Sequence, residues 1–138
     1  MPGISPKLPF RRHAVDGYSM NKNLLDAVKQ NLKHLILTAP GERMMDPDFG
    51  VGIRNYLFEM NSENTQADIS AKIYEQVEKY MPFIDLENII FPAFRGAEDE
   101  VLDVDKNQLN IRTEFEVLPL SAKDILSLDL GVELFSVT

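Results

Sequence analysis

At 138 residues, with 44% hydrophobic and 26% charged positions, the chain has the composition of ordinary globular material and length for one domain with a single core. The absence of cysteine excludes disulfides and thiolate metal sites. The formal charge of −8 is uneven, six Lys/Arg against two acids over residues 1–40 and eight against twenty beyond, so the body repels phosphate and argues against a nucleic-acid partner.

Residues 1–18 hold Pro2, Gly3, Pro6 and Pro9 and one apolar cluster at Leu8 and Phe10, and read as an extended N-terminal arm. Arg11, Arg12 and His13 are too few to track phosphate; a basic arm on an acidic body suits docking onto a protein neighbour. No apolar run approaches the roughly 20 residues that span a bilayer, and Met1 to Pro9 lacks the apolar core of a signal peptide. The expectation is a soluble, cytoplasmically made protein with no membrane partner and one α+β domain over residues 19–138.

From Asn21 the pattern turns helical. Leu24, Leu25, Val28, Leu32, Leu35 and Ile36 recur at steps of three and four, with Ser19, Asn21 or Asn23 as candidate caps and Asp26 in the first turn. Pro40-Gly41 stops this helix, and Asp46-Pro47-Asp48 forces extended backbone. A short amphipathic helix with Ile53, Leu57 and Phe58 follows. The second long helix runs from about Thr65 to Met81, capped by Ser62 or Asn64 and ended by Pro82; Ile69, Ile73, Val77 and Tyr80 form its apolar face, and Glu75 and Lys79 an i,i+4 pair.

After Pro82 the period changes. Leu86 to Arg95 reads as a strand, with Pro92 pointing to an edge or a bulge. Leu109, Ile111, Thr113, Phe115 and Val117 alternate with polar residues as a half-buried strand, and Ile125 to Phe135 repeats the alternation. The fold class is therefore α+β, with two main helices and a short one packed on a small antiparallel sheet of about three strands, preceded by the arm. An edge position for the last strand would expose unpaired N–H and C=O groups to another chain, or leave Lys123, Asp124, Asp129 and Glu133 to guard it.

The segment Leu35 to Glu59 carries a further signal. Thr38, Gly41-Glu42-Arg43, Asp46-Pro47-Asp48-Phe49-Gly50 and Leu57-Phe58-Glu59 resemble the signature of the baseplate wedge, or sheath initiator, family of contractile-tailed phages, related to subunits of type VI secretion baseplates. The likeness runs from about Asp16 to about Val132. It implies a non-enzymatic structural protein of the virion tail, assembled in the host cytoplasm, repeated around a sixfold baseplate and using no cofactor or metal. The implied partners are the sheath protein, other wedge subunits, and tail tube or hub proteins. Wedge docking falls to Arg11, Arg12, Tyr80, Pro82 and Phe83, although the family's Glu-Pro-Arg is replaced here by Tyr80-Met81-Pro82-Phe83. Sheath docking by β-strand augmentation falls to the strand with Leu126, Leu128, Leu130, Val132 and Leu134. The fold also resembles a bacterial anti-adaptor, so a regulatory binding module is one alternative.

Chemistry read from the residues alone is sparse. Asp103, Asp105, Asn107 and Glu114 match positions 1, 3, 5 and 12 of a calcium loop, but Gln108 stands where glycine is needed and the flanks read as strands. Glu42, Asp46, Asp48 and Glu59 offer carboxylates for a lysozyme-like hydrolase, the other alternative. Glu42 stands beside a cation, however, where a general acid needs an apolar pocket. The structural reading pairs Glu42 and Arg43 or caps with them across the turn, caps the short helix with Asp48, and places Phe49 in the core. His34 has no second ligand at metal spacing.

Overall fold

The computed structural model describes residues 3–59, 62–92 and 109–130. Helix α1 (Leu24–Leu37) starts where the Asn23 side chain accepts the Leu25 N–H at 3.2 Å, with Asp26 in the first turn facing the positive end of the helix dipole. Asn21 is instead buried, and its amide donates to Ser5 Oγ and Gln30 Oε1, both at 3.1 Å. Those bonds hold β1 (Ser5–Pro6) against β4 (Met20–Asn21), while β2 (Arg12–His13) pairs with β3 (Gly17–Tyr18). The arm is thus extended in short strands and doubled back beside α1, where Gln30 accepts the Leu8 N–H and donates to the Pro6 carbonyl.

The segment Ile53–Phe58 is a 3-10 helix, started by Gly52 at φ +68 with no side-chain cap. Asp48 therefore does not cap it, contrary to expectation. The tighter three-residue turn buries Ile53 and leaves Phe58, expected on the apolar face, 90% exposed. Helix α2 (Glu63–Tyr80) begins where Ser62 Oγ accepts the Thr65 N–H at 3.3 Å and stops just before Pro82. Its Glu75 meets Lys72 at 3.3 Å rather than Lys79, which lies 5.0 Å from the Tyr80 ring centre.

Strands β5 (Ile84–Ile90), β6 (Leu109–Val117) and β7 (Ala122–Leu130) form an antiparallel sheet in that order. The first closes before Pro92 and bulges between Leu86 and Asn88. Helix α1 packs on β7, α2 packs on β5, and the helices touch each other, so one face of the sheet is covered. Between the layers Leu32, Leu35, Ile36, Ile53, Ile69, Ile73, Ile111 and Phe115 are all but fully buried, each contributing about 2–3 kcal/mol of apolar burial. The acidic loop with Asp103, Asp105 and Asn107 lies outside the described residues.

One polar group sits badly in this core. Thr113 is 1% exposed and its hydroxyl meets no hydrogen-bond partner among the described residues. Thr113→Val, nearly isosteric, is expected to stabilise the fold by about 1 kcal/mol, read as a higher urea midpoint at unchanged slope.

Candidate functional site

The turn after α1 is built by backbone bonds that a helix end leaves open. Thr38 directs its N–H and its hydroxyl to the His34 carbonyl at 2.9 and 2.6 Å. The returning chain supplies further donors, Val51 N–H to the Leu35 carbonyl at 3.1 Å and Gly52 N–H to the Thr38 carbonyl at 2.8 Å. Gly41 N–H closes the loop on the Pro47 carbonyl at 2.8 Å, and Glu42 accepts the Ala39 N–H at 3.2 Å. Met44 and Met45, at the loop's outer part, are 94% and 99% exposed.

The loop is clamped from α2 by Gln76, 2% exposed, which accepts the Gly50 N–H at 3.0 Å and donates to the Asp48 carbonyl at 3.2 Å. Sequence reasoning missed this residue. The available signal was its place at i+7 from Ile69, on the apolar face of the helix, where a polar side chain needs a partner. Gly50 is buried at φ +110 because a Cβ there would stand 2.1 Å from the Thr38 carbonyl oxygen.

Beside the clamp lies a cleft of about 280 Å³ lined by residues that include His34, Arg43, Phe49, Tyr80 and Phe83. The Arg43 guanidinium carbon lies 3.8 Å from the centre of the Phe49 ring, close enough for cation–π attraction. Phe49 meets Tyr80 edge-on at 4.8 Å, and the Tyr80 hydroxyl donates to Asp46 at 3.0 Å. Phe49, expected inside the core, is therefore half-buried at its rim. The fold brings the predicted loop residues together with Tyr80 and Phe83, and leaves Pro82 exposed next to them. Arg11 and Arg12 do not line the cleft; they stand exposed on the N-terminal hairpin. Of the carboxylates weighed for hydrolysis, Glu42, Asp48 and Glu59 are exposed and Asp46 is taken by Tyr80.

The second surface is the outer edge of β7. The Leu118 N–H bonds to the Phe83 carbonyl at 3.1 Å, so even-numbered backbone groups of β6 face β5 and odd-numbered ones face β7. By the alternation of an antiparallel ladder, Ala122, Asp124, Leu126, Leu128 and Leu130 spend their backbone groups on β6. Lys123, Ile125, Ser127 and Asp129 turn theirs to the other side, where no strand pairs among the described residues. Consistent with this, the Ile125 N–H is met by the Asp124 carboxylate at 2.7 Å. Leu126 and Leu128 are 5% exposed and face the helices, so they serve the core, and any docking here runs through the backbone edge. Val132 and Leu134 lie outside the described residues. On the outer face Lys123 is paired with Glu87 on the β5 bulge and with Glu116 at 3.7 Å.

Asp124 also accepts Lys29 of α1 at 3.1 Å. Burial is the strongest single influence on its carboxyl and raises it, but the Ile125 N–H and then Lys29 outweigh burial and hold it below its ordinary value of 3.8. A carboxyl lowered in the folded state adds stability above that ordinary value and loses it as pH falls through the folded value. Asp124→Ala is thus expected to cost about 0.5–1 kcal/mol at neutral pH. Urea midpoints should show the gap to the parent closing as pH drops below 3.8.

Among the described residues no three His, Cys, Asp or Glu converge to hold a metal, and no helix is long and apolar enough to cross a membrane. The chain belongs to the family described as baseplate wedge protein gp25, whose model matches residues 22–118. A structural role in a tail baseplate follows from that membership. Among solved structures the fold is similar to a Geobacter sulfurreducens protein provisionally described as a tail lysozyme. That match has TM-score 0.65 and 23% identity, covering 83% of this chain and 96% of that one. It is similar also to a chain of the sixfold-symmetrised anti-feeding prophage baseplate, with TM-score 0.57 and 21% identity, covering 95% and 86%. No curated protein gives a significant match.

Proposed function

We propose that this baseplate subunit performs no catalysis and starts the contractile sheath, by offering the β7 edge to a strand from a sheath subunit. The observation that carries the reading is the one-sided pairing of β7, whose groups at Lys123, Ile125, Ser127 and Asp129 point away from β6. Added strands draw their affinity from main-chain hydrogen bonds, so a backbone edge suits a template that must set the geometry of a polymer. The cleft at Arg43, Phe49, Tyr80 and Phe83, the exposed pair Met44 and Met45, and the hairpin with Arg11 and Arg12 then dock on neighbouring wedge subunits. Repetition of the chain around a baseplate, sixfold in the anti-feeding prophage, strengthens contacts that are individually weak.

Ser127→Pro tests the strand role. Ser127 turns its N–H outward, so proline removes a donor from the open edge and none from the pairing with β6. Particles carrying it are expected to build baseplates without sheaths in electron micrographs, while the isolated variant keeps its circular dichroism. Sheaths of normal number and length would overturn the reading.

A further inference from the structure

The charge beside the β7 edge specifies the strand that would seat there, if that edge is the docking site just described. A groove of about 500 Å³ lies between the strand and α1, lined by residues that include Lys7, Asp26, Lys29, Lys33, Ile125 and Ser127. Three of these are ammonium groups, in a chain whose net charge is −8. Lys29 is committed to Asp124. Lys7 and Lys33 are exposed and form no ion pair among the described residues.

A strand added to β7 would run about 4.8 Å from it and turn alternate side chains toward α1. We propose that the added strand is an acidic segment of another chain, with carboxylates at every second position settling on Lys7 and Lys33 and apolar residues between them beside Ile125. Ile125 is 37% exposed on the opposite face, which suits an apolar cross-strand neighbour.

The probes are two acetylated eight-residue peptides, one alternating valine with glutamate and one alternating valine with lysine, titrated against the full chain by fluorescence anisotropy. The glutamate peptide is expected to bind at least tenfold tighter, with affinity falling as salt rises. The double variant Lys7→Glu, Lys33→Glu should reverse the preference, and Ser127→Pro should abolish binding of both peptides. Equal affinities, or a preference unchanged in the double variant, overturn the acidic partner; if Ser127→Pro still abolishes binding, strand addition itself survives. An acidic preference that persists in Ser127→Pro overturns seating on the edge, and with it both readings. No saturable binding of either peptide overturns the proposal.

Discussion

Gly50→Ala is expected to lower the unfolding free energy by about 3–5 kcal/mol. Two costs combine. The backbone at φ +110 is a region that side-chain-bearing residues rarely enter. The new Cβ would also meet the Thr38 carbonyl oxygen at 2.1 Å and carbon at 2.7 Å, which are backbone atoms at the end of α1 and cannot swing aside. Relief requires the 50–52 segment to back away from α1, which breaks the Gly52 N–H bond to Thr38 and the Val51 N–H bond to Leu35. Urea denaturation followed by circular dichroism measures the loss. A change under about 1 kcal/mol would mean that the loop does not approach the helix as described.

Gln76→Leu comes second, with an expected loss of about 2–4 kcal/mol, because similar volume is kept while the Gly50 N–H and the Asp48 carbonyl lose their partner. Gln76→Glu separates hydrogen bonding from packing. A neutral carboxyl can accept from Gly50 and donate to Asp48, whereas a carboxylate can only accept and would face the Asp48 carbonyl oxygen in a buried position. Burial raises the carboxyl's pKa in this variant, so its deficit should be large at neutral pH and shrink as pH falls through the raised value. A deficit independent of pH would show that Gln76 fills space and nothing more.

The long elements were legible because their periods were clean. The steps of three and four in α1 and α2, and the strict alternation from Leu109 to Val117, bury most of the face that the pattern marks; the exceptions stand at helix ends, where Leu24 is exposed and Leu25 and Tyr80 are half-buried. Short elements were not. Six residues are too few to tell a 3-10 turn from an α-helix, which is why Phe58 was expected inside and stands outside. The loop residues were readable as a signature, but not their division of labour: Asp48 contributes its carbonyl rather than its carboxylate, and Phe49 stops at the rim between Arg43 and Tyr80. Gln76 reads as one more polar residue until the loop is folded against it. At the sheet edge, alternation correctly placed Leu126 and Leu128 on one face, yet the backbone groups that point away from β6 belong to their odd-numbered neighbours, and that parity depends on pairing with β6.

The central claim is that the β7 edge lends its outward-facing backbone to a neighbouring polymer. Electron cryomicroscopy of an assembled tail end with sheath attached tests it most directly. The account predicts a strand of another chain about 4.8 Å from the backbone of residues 123–129, bonded to their outward N–H and C=O groups. A β7 edge left bare to solvent, or filled by this chain's own residues, beneath a complete first sheath ring would contradict it.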